Sequence, residues 1–221
     1  MIPLLIVFAK NPRPGQVKTR LAEALGSDTA AALYRALAEG VLRRTQAPGA
    51  YARAVFFAPA DSVREIEAWL PGESCVAQEG ADLGARMASA FAWAFARGHE
   101  TVVLVGTDVP ALGRAHIHAA LSALDAHDVV LGPAFDGGYY LIALRRPAPQ
   151  LFEGIAWSTA AVLPQTLDRA RAAGLRVATL ASLGDVDDVA GLRREWAAVR
   201  ELLSGALLAE LLRAQPDLEG A

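Results

Sequence analysis

The chain has 221 residues, 24 acidic and 21 Lys+Arg side chains, a formal net charge of −3 and 53% hydrophobic residues. This excludes a disordered chain, which is poor in apolar residues and rich in net charge, and it suits a single domain whose core needs no disulfide or metal staple. The mild acidity argues against nucleic acid as a partner, and the single Cys75 excludes both an intramolecular disulfide and a Cys-based zinc site.

In chain order, Leu4 to Ala9 is a short apolar run that reads as a buried strand. MIPLLIVFAK lacks the basic leader and small-residue cleavage site of a signal peptide. No run reaches the roughly 20 apolar residues of a membrane span. The expectation is a soluble cytoplasmic protein with no membrane partner. KNPRPGQVK is a Pro- and Gly-shaped loop, and Thr29 to Arg44 carries apolar residues at helical spacing. Ala54 to Ala58 is a second strand. Asp61 is placed to cap a helix that ends at Leu70 before Pro71-Gly72, and Cys75 to Ala77 is a third strand.

Leu83 to Arg97 predicts a helix stopped by Gly98, and Thr101 to Val105 a central strand covered on both faces. Then follow a helix over Gly113 to Leu124, a strand over Val129 to Leu131 and a strand over Gly138 to Leu144. Ser158 to Ala173 predicts a helix, Arg176 to Leu180 a late strand and Val189 to Leu212 mostly helix, with Gln215 to Ala221 fraying. Such alternation implies right-handed crossovers and a mostly parallel sheet with helices on both faces, and no internal repeat or linker divides residues 1–221.

In open α/β sheets ligands bind at the carboxyl ends of the strands, and the unusual residues gather there. Of the 21 basic residues only Lys10 and Lys18 are lysines. Lys is a compact charge on a flexible stem that Arg does not replace freely. With Arg13 and Arg20 these two crowd the loop after the first strand, a pattern suited to phosphate. Neither GxxxxGK[ST] nor GxGxxG is present.

Asp108 follows the central strand, where it could coordinate Mg²⁺ or Mn²⁺ or merely cap a turn. Asp136-Gly-Gly-Tyr-Tyr140 could approach a ligand closely or form a hairpin, and read alone it favours the hairpin. Of its tyrosines, one is expected in the site and the other in the core. Gly184-Asp-Val-Asp-Asp188 could supply a metal ligand or charge a helix start. The four histidines look incidental, and no GxSxG elbow is present.

These blocks together resemble one family: FAKNPRPGQVKTRLA at Phe8 to Ala22, QEGADLGARM at Gln78 to Met87, VGTDVPAL at Val105 to Leu112, GPAFDGGYYLIAL at Gly132 to Leu144 and FEGIAWST at Phe152 to Thr159. It is the GT-A-like transferase family first filed as a domain of unknown function, also labelled radical-SAM/selenodomain-associated transferase or arsenosugar-biosynthesis glycosyltransferase. More distantly the chain is similar to molybdenum-cofactor and phospholactate guanylyltransferases. The resemblance implies a Rossmann-like GT-A domain that binds a nucleotide-sugar or NTP with Mg²⁺ or Mn²⁺.

By motif, Lys10, Gly15, Lys18 and Arg20 would face the phosphates, and Gln78, Gly84 and Arg86 the base or donor. Asp108 would be both catalytic and a metal ligand, with Asp187 (or Asp185) completing the metal site. Asp136 would be the second catalytic acid, with Gly137, Gly138 and Tyr139 on the acceptor side. The family usually reads GSDCPDL where this chain has Val109 and Ala111, and DvDT where it has Asp188. Three functions follow: glycosyl transfer from a nucleotide-sugar to a small-molecule acceptor, nucleotidyl transfer from an NTP to a phosphorylated acceptor, or nucleotide binding without catalysis. A homodimer is the assembly this reading allows.

Overall fold

The computed structural model describes residues 2–220. Among them, seven strands form one sheet: β1 (Leu4–Lys10), β2 (Ala52–Ala58), β3 (Cys75–Ala77), β4 (Val102–Val105), β5 (Val129–Pro133), β6 (Tyr139–Leu144) and β7 (Val177–Thr179). Their order is β3-β2-β1-β4-β6-β5-β7, and all pairings are parallel except those of β6. The Asp136-Gly-Gly turn makes β5 and β6 an antiparallel hairpin, and β6 then inserts between β4 and β5. The sheet is mostly parallel, as the alternation of elements predicts.

The pleat sends alternate residues to opposite faces. Leu5, Val7 and Ala9 of β1, with Val103 and Val105 of β4, pack under α2 (Ser27–Arg44), α3 (Val63–Trp69) and α5 (Arg114–Ala123). Leu4, Ile6, Val102 and Leu104 pack on the other face under α4 (Leu83–Ala96) and α6 (Val162–Ala172). Both faces of β4 are therefore dry, which is why TVVLV shows no polar alternation. A third cluster joins α1 (Thr19–Leu25) and α2 to α7 (Val189–Arg194), α8 (Trp196–Arg200) and α9 (Gly205–Ala214) through Leu21, Leu33, Leu37, Leu192, Trp196 and Leu211. Among the described residues, no helix is long and apolar enough to cross a membrane.

Three local expectations are corrected. The helix expected from Ser158 begins at Val162, because Ser158 is left-handed (φ 63°) and Thr159 caps a separate turn through its hydroxyl. Asp61 does not cap α3; it lies 3.8 Å from Arg13 while the chain makes a 3₁₀ turn over Ala60–Ser62. Residues 189–212 are mostly helix, as expected, in the three segments α7, α8 and α9. The tail does not fray where it is described: Leu218 is fully buried in the third cluster, and Ala221 lies outside the described residues.

Candidate functional site

Lys18 sits in the left-handed backbone region (φ 48°, ψ 45°) immediately before α1. A non-glycine residue there carries a steric cost, so the surrounding fold must hold it. Val17 supplies the anchor by burying its side chain beside the sheet. The Lys18 side chain is only 5% exposed, and its ammonium donates to Asp108 Oδ1 and, at 2.6 Å, to Asp187 Oδ1.

Asp108 is placed by the end of β4 and by Tyr34 of α2. The ladder between β1 and β4 stops at Val7 and Val105. Beyond it the Lys10 N–H donates to the Tyr34 hydroxyl (2.7 Å), which also bonds the buried Thr107 Oγ1 (3.0 Å). One phenol thus replaces the missing strand partner and ties the two strand ends together. Burial, and secondarily the charge of Asp108, push this phenol up to about 12.

Asp187 arrives from far along the chain. Leu183 bonds Pro133 and the Val186 N–H donates to the Asp108 carbonyl (2.9 Å), so the segment after β7 folds back over the rim. Val186 is fully buried, whereas Asp185 is half-buried and Asp187 exposed. The three aspartates then part company. Asp187 binds Lys18, Asp188 caps α7 by accepting from the Gly191 N–H (2.7 Å), and Asp185 pairs with Arg194 (3.5 Å).

Burial opposes ionisation of Asp187, yet Lys18, then Arg20 and Lys10, hold its carboxyl below the usual range. Burial raises Asp185, and the negative charges of Asp187 and Asp136 add to it. Lys10, Lys18, Arg20, Asp136, Asp185 and Asp187 therefore share one electrostatic neighbourhood.

The oxygens of Asp108 and Asp187 converge on one point of cation size, now filled by the ammonium. Mg²⁺ and Mn²⁺ sites commonly use one or two carboxylates and complete their shell with substrate phosphates and water. The donor set fits that chemistry. Among the described residues, no group of three or more His, Cys, Asp and Glu side chains could hold an ion without such help.

The remaining expected residues divide. Lys10 and Arg20 are exposed and, among the described residues, make no ion pair, whereas Arg13 of the same loop is turned to Glu65 (2.5 Å). Asn11 binds the same carboxylate (2.6 Å), and these bonds hold the Glu65 carboxyl down at about 2. Gly15 (φ 76°) turns the exposed tip of the loop. The Gln78 carboxamide donates to the Phe56 carbonyl (2.8 Å), bridging strand ends, and Arg86 donates to the Gly80 carbonyl (3.1 Å). Gly84 is buried, and a Cβ there would lie 2.6 Å from Trp157 Nε1.

In the hairpin, exposed Asp136 accepts from the Gly138 N–H (2.8 Å), and Gly137 (φ 89°) runs against Ala160. Neither tyrosine enters the site. Tyr139 packs beside Met87 on the α4 face, and Tyr140 is buried on the other with its hydroxyl bonded to the Ala181 carbonyl (3.2 Å). Val109, where the family pattern has Cys, is buried in the core. His116 Nδ1 accepts from the Gly113 N–H at the start of α5. Sequence reasoning missed Tyr34, Thr107, Arg194 and Asp82, whose side chain caps α4. Only Asp82, ahead of an apolar-periodic run, carried a local signal.

A family model described as an uncharacterised protein conserved in bacteria (DUF2064) matches residues 41–159. No curated protein sequence matches the chain. Among solved structures, a candidate nucleotide-diphospho-sugar transferase from Desulfovibrio desulfuricans is 37% identical, with a TM-score of 0.82 over 91% of this chain and 99% of that one. CMP:2-keto-3-deoxy-manno-octonic acid synthetase complexed with CTP shares 14% identity and a TM-score of 0.57 over 92% of this chain and all of that one. Glucosyl-3-phosphoglycerate synthase from Mycobacterium tuberculosis, solved with Mn²⁺, UDP and glucosyl-3-phosphoglycerate, shares 13% identity and a TM-score of 0.53 over 96% of this chain and 79% of that one. The latter two likenesses are of fold.

Proposed function

The chain belongs to the DUF2064 family, and on that footing we propose that it is a metal-dependent transferase moving a sugar from a nucleoside diphosphate-sugar to a small-molecule acceptor. The carrying observation is the meeting of Lys18 with Asp108 and Asp187 at the carboxyl rim of the sheet. The 37% identical relative described as a nucleotide-diphospho-sugar transferase supports the donor class.

Asp108 and Asp187 would hold Mg²⁺ or Mn²⁺. That ion, when bound, supplies positive charge for the diphosphate oxygens. Lys18, with Lys10 and Arg20 around Asp187, binds the phosphates and stabilises the charge that develops as the sugar leaves. Exposed Asp136, on the hairpin side of the acid group, orients the acceptor hydroxyl and receives its proton. Gly15 lets the cationic loop turn, while Gln78, Gly84 and Arg86 shape the donor side from the ends of β3 and α4. Gly137 and Gly138 shape the acceptor side at the hairpin turn, and Tyr139 follows them as the first residue of β6.

Thermal shift with UDP-, GDP- and CDP-sugars and with NTPs, each with and without Mn²⁺, tests this reading. A Mn²⁺-dependent shift with a nucleotide-sugar, lost in Asp108→Asn, is expected, followed by sugar transfer or donor hydrolysis. Release of pyrophosphate from an NTP would replace glycosyl with nucleotidyl transfer. Absence of any nucleotide effect would remove both.

A further inference from the structure

The Lys18 ammonium lies between the two carboxylates read as metal ligands. We propose that it is the resident cation of the acid pair, that Mn²⁺ or Mg²⁺ must displace it to bind there, and that the phosphates of the incoming nucleotide take up the displaced ammonium. This rests on the reading of Asp108 and Asp187 as metal ligands.

The geometry is restrictive. One ammonium touches an oxygen of each carboxylate, and its side chain is 5% exposed, whereas Asp108 and Asp187 are 44% and 51% exposed. The acids are open to a metal from solvent, but the space between them is filled from the protein side. A divalent ion bound to the same oxygens would lie against the ammonium, and two cations so close repel strongly in a partly dehydrated site. Lys18 must therefore swing out before the ion settles.

Lys18 has few alternatives within the fold. The nearby Asp185 is already paired with Arg194. An incoming diphosphate supplies the missing anion. It would take the ammonium, and Asp108 and Asp187 would then be free to hold the divalent ion, which would supply further positive charge for the phosphates. Metal and nucleotide should then bind with positive coupling, typically about 5–150-fold, and the coupling must be the same from either side. Left-handed Lys18, held by buried Val17 and by the start of α1, keeps the backbone fixed while the flexible stem moves.

Two measurements decide. The first is Mn²⁺ binding by electron paramagnetic resonance, without nucleotide, in wild type and Lys18→Met. The variant should bind Mn²⁺ about tenfold tighter or more, within the same coupling range. Equal or weaker binding by a folded variant overturns the proposal and leaves the metal reading standing.

The second uses the wild type alone, and so survives a variant that fails to fold. The chain has only two lysines. Acetylation by an N-hydroxysuccinimide ester, read by mass spectrometry against the same peptides acetylated after unfolding, therefore reports Lys18 separately from Lys10. Lys18 should react slowly without metal, several-fold faster once Mn²⁺ saturates the site, and slowly again when UDP is added. Unchanged protection of Lys18 at saturating Mn²⁺ overturns the proposal alone. Failure of wild type and variant to bind Mn²⁺, with UDP or the NTPs present, overturns the metal reading and the proposal together.

Discussion

Removing one oxygen atom in Tyr34→Phe should loosen the rim on which the site is built. The ring stays in its buried place among Val7, Ala38 and Val105. What disappears is the acceptor for the Lys10 N–H and the partner of Thr107 Oγ1. A buried polar group left without a partner costs about 1–3 kcal/mol. Lys10 is an exposed residue, so water can reach part of its peptide, whereas Thr107 is 2% exposed and has nowhere else to turn. Taking the low end for each gives a loss of about 2 kcal/mol. At about 2–4 °C per kcal/mol for a chain of this size, the melting temperature should fall by about 4–8 °C. Differential scanning calorimetry on the ligand-free protein measures this directly. Because Thr107 precedes Asp108, Mn²⁺-dependent nucleotide binding should weaken as well. A variant that melts with wild type and binds the nucleotide equally would refute the idea that this phenol ties β1 to β4.

Gly84→Ala would drive a Cβ to 2.6 Å from the Trp157 indole nitrogen, so overpacking should destabilise it by roughly 1–3 kcal/mol in urea denaturation. Gly137→Ala should lose at least as much, since φ is 89° and the new Cβ meets backbone atoms of Ala160 that cannot rotate away. Glu65 lies below its ordinary value because Arg13 and Asn11 bond its ionised form, so its contribution is complete above the usual glutamate range of about 4.3. It is lost as pH falls through about 2, so the urea midpoints of wild type and Glu65→Gln should differ at neutral pH and merge toward that pH. Asp108→Asn should abolish Mn²⁺-dependent nucleotide binding, measured by calorimetry, while the fold is retained, because this side chain is half-exposed and Asp187 remains to pair with Lys18.

Much was legible from local pattern. The apolar runs of β1 and β4 are strands because both their faces are buried. Gly98 ends α4 with a left-handed turn (φ 84°) because a chain without Cβ takes it freely. Asp136-Gly-Gly reads as a hairpin for the same reason. The five motif blocks carried the family and, with it, the acids and lysines to examine. The helix expected at Ser158 failed because apolar spacing does not report a left-handed residue. Arg13 failed because its partner, Glu65, is 52 positions away.

The amino-acid order by itself determined the α/β alternation, the strand ends that carry polar residues and the concentration of both lysines near one of them, because strand, turn and cap preferences act over a few residues. Only the folded chain decided which of Asp185, Asp187 and Asp188 faces Lys18, that β6 slips between β4 and β5, and that a tyrosine from α2 closes the rim. Those choices depend on which backbone groups lack a partner once the sheet is assembled, and the partners are supplied by residues distant in the chain.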